Sequence, residues 1–494
     1  LLADTVDFIA YYNDVSRGDY HVGGNKILDA NGQEIEGTNG EVIGLEGDTQ
    51  DALIKFGWDI TSDQRLKVGY EIYQDKGDYS YRPDMGLATD LAITKSLAVP
   101  LLWPTELSRE TFTVNYDANW SRDSTIKMSL FSNTSELNRD ETGWKQNKKY
   151  EGWAGDITGI AENIGVNIIG DTVINGAVEH ELIYGIDVVK YDTQYEVIAL
   201  FADNRSSKET ATNSAIYVED RIDFGNGFVL TPGIRYDNYD IESAVVDDSF
   251  SDFSAALAAQ YSFEEFLTIK ASSTQLFKGP EIGEVFIGAG LRDVANPDIE
   301  AETGFNHELA LAYGDNIFGA DAFTAGVTFF QTNIDSYIYD SAQIPGGGRR
   351  DQWKDNVGDL TIDGVEFYTG YELGQLALQL TYSNAESELS AFEDYAKLEG
   401  ARLERQQGNT FSASADYTIE AIDIALHWDM LAVDDVADGL SLDGASINNA
   451  KEGYVVHNIS ATWRPEQLDG LSVIFGVDNV FDEFYASHSS KTGT

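Results

Sequence analysis

Apolar and polar residues alternate along most of this chain with a period of two. From Thr111 onward the odd positions are Thr111, Thr113, Asn115, Asp117 and Asn119, and the even ones are Phe112, Val114, Tyr116, Ala118 and Trp120. Successive side chains of a β-strand point to opposite faces, so this stretch predicts a strand with one apolar and one polar side. The same alternation runs through Leu66/Val68/Tyr70/Ile72, Ile126/Met128/Leu130, Phe411/Ala413/Ala415/Tyr417, Ile422/Ile424/Leu426/Trp428 and Leu471/Val473/Phe475/Val477. On the order of 20 strand-like runs are predicted in this way, with no amphipathic helix beyond short loop pieces. Turn signals part them at Asn31-Gly32, Gly225-Asn226-Gly227 and Gly346-Gly347-Gly348.

The links between runs fall into two classes. Thr61–Arg65 and Gly225–Gly227 are short, whereas Arg17–Gln50, Asp75–Glu110, Asn133–Trp153, Asp340–Leu360 and Leu431–Glu452 are long and polar. Short links at one rim and long ones at the other are the asymmetry of a membrane-spanning β-barrel, whose strands need about 9–11 residues of such alternation. Some 20 strands in one series are too many for one sandwich, and a propeller or solenoid would show a repeated motif. Trp120, Tyr417, Trp428 and Trp463 cluster near the ends of apolar faces, as in an interfacial aromatic girdle; ordinary core packing is the rival reading. The fold class expected is all-β, an antiparallel transmembrane β-barrel, in one domain over residues 1–494. No apolar run reaches the roughly 20 residues of a membrane helix, and the nearest, Ser96–Pro104, is cut by Pro100 and Pro104.

Composition sharpens this picture at two points. Gly at 46, Tyr at 26 and Phe at 24, against 8 Pro and 3 Met, suit strands and turns. The formal net charge of −52, from 84 Asp+Glu and 32 Lys+Arg, leaves no basic footprint and excludes nucleic acid as a partner. So many acids mark either a solvated acidic surface or loops that gather cations. With no Cys, disulfides and thiolate metal sites are ruled out.

Enzyme signatures fail. Neither G-x-x-x-x-G-K-[ST], H-E-x-x-H nor G-x-S-x-G occurs, and carboxylate pairs carry no weight when 84 acids make them by chance. The six His residues show no metal-ligand spacing, so neither a metal site nor a cofactor is expected. His427 falls on the strand face opposite Trp428, toward a lumen. His21 and His488, in loop or turn segments, are the His candidates for ligand contact. Arg349, Arg350, Arg402 and Arg405 are the basic ones, because guanidinium grips carboxylates bidentately; an exposed loop Arg is otherwise simply solvated.

Five stretches, in order, resemble the barrel region of TonB-dependent outer-membrane receptors. Tyr217–Tyr239 contains the segment TPGIRYDNY, and Phe277-Lys278-Gly279-Pro280 resembles the family's F-R-A-P box. Asn296-Pro297-Asp298-Ile299 with Glu302-Thr303 resembles its N-P-[NDE]-L-x-x-E-T box. Gln331–Tyr339 with Asn356–Phe367, and then Gly476–Tyr485, complete the series. The layout is nearest the haem/haemoglobin branch, yet Glu281–Ala295, where that branch carries a haem-ligating His, contains none.

The resemblance implies a barrel of about 22 strands in the outer membrane of a Gram-negative bacterium, importing an iron-bearing ligand, a ferric siderophore or haem, driven by the TonB system. A passive porin-like channel is the alternative. It further implies that the plug, through which TonB acts, the first strands and the last strand lie outside this chain.

Overall fold

Hydrogen bonding turns the alternating runs into one continuous sheet. The computed structural model describes the chain apart from residues 1–4, 23, 25, 28–32, 36–37, 81–86, 244–245, 265, 281–295, 349–351, 404, 443–449, 466–467, 469, 484, 486 and 489–494. Strand β1 (Val6–Arg17) precedes a small ribbon of β2 (Tyr20–His21) and β3 (Glu41–Val42), then β4 (Gly47–Thr61) and β5 (Gln64–Ser80). After helix α1 (Leu87–Leu97) come β6 (Leu102–Ser121), β7 (Ser124–Asp140), β8 (Gly155–Asn175), β9 (Glu179–Ala199) and β10 (Arg205–Asp223). Next are β11 (Phe228–Glu242), β12 (Asp247–Phe263), β13 (Leu267–Lys278), β14 (Glu302–Asp315) and β15 (Ala322–Gln343). The series ends with β16 (Gln352–Leu373), β17 (Leu376–Ala391), β18 (Thr410–Ile419), β19 (Ile424–Val433), β20 (Tyr454–Trp463) and β21 (Val473–Val477).

Nineteen of these strands make one antiparallel sheet. The first pair is β1 with β4, and each later strand then pairs with the next, through to β20 with β21. Among the described residues no register joins β21 to β1. The sheet forms the wall of a barrel whose faces keep the alternation: Phe56, Val68, Val114, Leu130, Val166 and Val188 oppose one another in one apolar row across six strands. Such rows stay exposed, with Ile54, Ile164, Ile216, Ile234, Phe253 and Phe329 each at 50% or more of their surface. The accessible surface, 28591 Å², far exceeds the roughly 18,000 Å² of a globule of this mass. A single hollow wall with both faces uncovered accounts for the excess. Soluble monomers do not leave apolar belts of this extent bare, so the outer face is one that meets lipid.

Near the short links the belt ends in aromatics, among them Trp58, Trp120, Tyr261, Tyr313, Phe323, Tyr417 and Trp463. Five directly opposed pairs set a ring against a glycine: Phe131/Gly165, Tyr184/Gly170, Tyr217/Gly185, Tyr368/Gly326 and Phe330/Gly364. A Cβ at these glycines would stand only 2.1–2.6 Å from the ring, so the ring lies over bare backbone and covers it.

The strands run further than the alternation predicts. β5 continues to Ser80 and β6 begins at Leu102, inside the expected Asp75–Glu110 link; β7 reaches Asp140, and β15 and β16 extend to Gln343 and from Gln352. Above the belt both faces meet water, so ladder hydrogen bonds persist where no apolar period marks them. The Gly-Asn-Gly turn forms as expected, with Gly225 and Gly227 at φ 70° and 86° and the Phe228 N–H donating to Asn226 Oδ1. Asn31-Gly32 lies outside the described residues.

Candidate functional site at the long-link rim

Buried side chains gather at the rim of long links. The largest fully buried ones are Trp103, Trp144, Lys354, Leu360, Leu389, Leu442, Val197, Val357 and Asn296, all at that end of the strands or in its links. Of the two boxes, Phe277 and Lys278 end β13, while Gly279 and Pro280 are buried just beyond it. A Cβ on Gly279 would meet the Tyr239 ring at 2.4 Å, which explains glycine there. Asn296 is the lock of the second box. Its Nδ2 donates to the Lys354 carbonyl (2.8 Å) and to Asp355 Oδ1 (2.9 Å), and its Oδ1 accepts from the Asp298 N–H. Pro297 and Asp298 form the exposed turn, and Ile299 enters an apolar cluster with Ala211, Tyr239, Ile241, Val246 and Ile338. Glu302 accepts from the Ile338 N–H (2.8 Å) and lies 3.6 Å from Lys278 Nζ; Thr303 opposes Phe277 in the ladder. The boxes therefore fasten the segment entering β14 onto β15 and β16.

A second link closes the same wall. The short helix Glu393–Leu398 packs Tyr395 with Ala342, Val357, Leu360, Leu389, Ala401 and Leu442. Tyr395 donates to Asp355 and accepts from Trp353 Nε1 (2.9 Å); burial first, then the Asp355 carboxylate, pushes its hydroxyl pKa up. Lys354, fully buried, pairs with Asp340. Sequence reading missed Lys354, Asp355 and Tyr395. Tyr395 and Asp355 are 40 positions apart, and only the fold brings them together.

The ligand candidates separate. Arg402 is buried: its N–H donates to the Leu440 carbonyl and its own carbonyl accepts from the Leu442 N–H, tying two long links together. Arg405 is exposed and makes no ion pair among the described residues. It lines a pocket of about 340 Å³ with Phe330, Ile362 and Glu366, whose positions face the lumen. His21 is exposed on the β2–β3 ribbon. His488 is buried, with Nδ1 accepting from the Gly408 N–H (3.1 Å) and Nε2 donating to the Glu452 carbonyl (2.8 Å), so both ring nitrogens are engaged. Arg349 and Arg350 lie outside the described residues.

Several lumenal guanidinium groups are matched by acids. Arg235 bridges Asp187 and Asp237, each at 2.9 Å, Arg17 reaches Asp75 at 2.6 Å, and Arg65 joins Asp59 and Asp7. His427 points into the lumen as expected, 2.8 Å from Asp416 and 3.3 Å from Asp429. The wall is thus polar inside and apolar outside, with its folded mass at one rim, the build of an outer-membrane barrel.

The family model described as "TonB dependent receptor-like, beta-barrel" matches residues 54–480, and the chain belongs to that family. Curated relatives include the Heme transporter BhuA of Brucella ovis, 23% identical over 473 residues, covering 92% of this chain and 63% of the relative. The Ferric enterobactin receptor PirA of Pseudomonas aeruginosa is 23% identical, over 90% of this chain and 62% of the relative. Among solved structures, the FrpB iron transporter from Neisseria meningitidis superposes with a TM-score of 0.79 at 20% identity, over 99% of this chain and 75% of that one. The chain spans 63% of the length of the relatives first matched. It is an outer-membrane β-barrel of a Gram-negative bacterium, in a family of receptors and transporters rather than enzymes or porins.

Proposed function

We propose that this chain forms the barrel of a receptor that imports an iron-bearing chelate, a ferric siderophore or haem, under drive from the TonB system acting through a plug domain. Relatives named for haem and ferric enterobactin support the cargo class. The observation that carries the site is Arg405. Several other lumenal guanidinium groups are neutralised by carboxylates, whereas this one faces a pocket with no ion pair among the described residues. A guanidinium and the Phe330 ring lining one pocket suit an anionic, partly aromatic chelate, offering paired N–H donors and a ring to pack on. Arg402 positions the loop that presents it. The test is uptake of radiolabelled iron by an iron-starved strain carrying the full-length receptor. Arg405→Ala is expected to lower ferric-siderophore uptake at least fivefold, and unchanged uptake would remove Arg405 from the site.

Haem is the second reading, with His21 as its solvent-facing imidazole at the long-link rim. His427 lies among lumenal acids, and both nitrogens of His488 are already bonded to backbone. Growth on haem that survives His21→Ala would take away that ligand.

A further inference from the structure

Across β7 to β12, on the outer face and in the half nearer the short links, lies an apolar groove of about 480 Å³. Ile126, Gly170, Tyr184, Ile186, Ile216 and Tyr236 line it. The register sets them in two adjoining rows: Ile126 opposes Gly170, which opposes Tyr184, and Ile186 opposes Ile216, which opposes Tyr236. The groove exists because Gly170 carries no side chain and the Tyr184 ring lies down over it, 2.4 Å from where a Cβ would stand. Tyr236 packs its ring against Phe253, centroids 4.6 Å apart, and closes one side. The volume lies within the roughly 300–1,000 Å³ of ligand pockets, and the groove is continuous with the belt that meets lipid.

Its end toward the short links is polar. The Tyr184 hydroxyl lies 3.3 Å from Thr172 Oγ1, and beyond it His180 Nδ1 lies 2.9 Å from Asp220 Oδ2. By the alternation, Thr172, His180 and Asp220 share the outer face with Gly170, Tyr184 and Val218. With Nδ1 held by Asp220, His180 has Nε2 left, among the described residues, to accept from a further partner. A hydrocarbon slot ending in a carboxylate and an imidazole has the polarity of a lipid standing in its leaflet.

We propose that the groove seats an acyl chain of one phospholipid whose headgroup carries both phosphate and a primary ammonium. The ammonium donates to Asp220 and to His180 Nε2, whose lone pair accepts once Nδ1–H is given to the Asp220 carboxylate. Charge complementarity selects this headgroup over a purely anionic one, because the acidic end of the groove, on a chain of net charge −52, repels the latter.

The test uses the full-length receptor in nanodiscs of equal phosphatidylethanolamine and phosphatidylglycerol, extracted into detergent and weighed by native mass spectrometry. One retained phosphatidylethanolamine per protein, at least tenfold over phosphatidylglycerol, is expected. Ile216→Trp, which fills the groove, should reduce retention at least tenfold, whereas Leu311→Trp on the outer face of β14 should not. Asp220→Asn should keep a lipid but lose the headgroup preference, and it decides the matter if Ile216→Trp does not fold. Equal retention of both lipids, or a preference unmoved by Asp220→Asn, overturns the proposal. A receptor that never enters the nanodisc overturns the lipid-facing placement itself, a result separate from loss of selectivity.

Discussion

The belt and the long-link rim are built from the same strands yet obey different rules. In the belt, Leu309, Phe329 and Ile216 are as exposed as surface residues, because lipid, not protein, covers them. At the rim, Leu389, Val357 and Leu442 are fully buried, although water lies on both sides of the wall there. Links must fold over the strands to bury anything, and the second box and the Glu393–Leu398 helix do this. The difference teaches that stability in the belt is a property of the environment, whereas at the rim it is a property of packing.

Truncation gives the sharpest contrast. Leu389→Ala should cost about 2–5 kcal/mol, because a protein cavity is left behind. Leu309→Ala should cost less than half of that, since lipid fills the space. Equal costs in denaturant titrations of the reconstituted receptor would break the comparison. Charge reverses the order: Leu309→Arg should cost about 2–4 kcal/mol near the bilayer midplane, whereas Leu45→Arg in the exposed first long link should stay within about 0.5 kcal/mol.

The ring-over-glycine pairs are tested by Gly165→Ala, whose methyl meets Phe131 and should cost about 1–3 kcal/mol. Adding Phe131→Leu should return much of it, and a double-mutant cycle without coupling would refute the pairing. The smallest effect concerns Glu141 in the link after β7, whose carboxyl is pushed up by burial against the pull of Arg139. A raised value means the folded link favours the protonated acid. Its contribution is full below the ordinary carboxylate value of about 4.3 and is lost as pH rises through the raised one. Corrected amide protection of residues 141–154 should therefore fall as pH rises above the ordinary carboxylate value of about 4.3. Glu141→Gln should flatten that dependence.

Much of the wall was legible in the chain. The alternation at Phe112–Trp120 named a strand and its lipid face, and the inward placement of His427 followed from Trp428 alone. The boxes were visible as letters but not as contacts. That Asn296 reaches Lys354 and Asp355 depends on a hairpin some 58 positions on. Strand ends read as links in the sequence because solvent on both faces erases the period. His488 and Arg402, which residue type and loop position offer as ligand candidates, sit in buried backbone bonds that residue type cannot reveal.

By itself, then, the order of residues determined which side of each strand meets lipid, because a two-residue period is a local property that one face of a bilayer reads directly. Only the tertiary structure decided which glycine lies under which ring, which links fold into the rim, and that Arg405 faces a lumenal pocket. Those outcomes depend on register between strands far apart in sequence, and no local pattern encodes register.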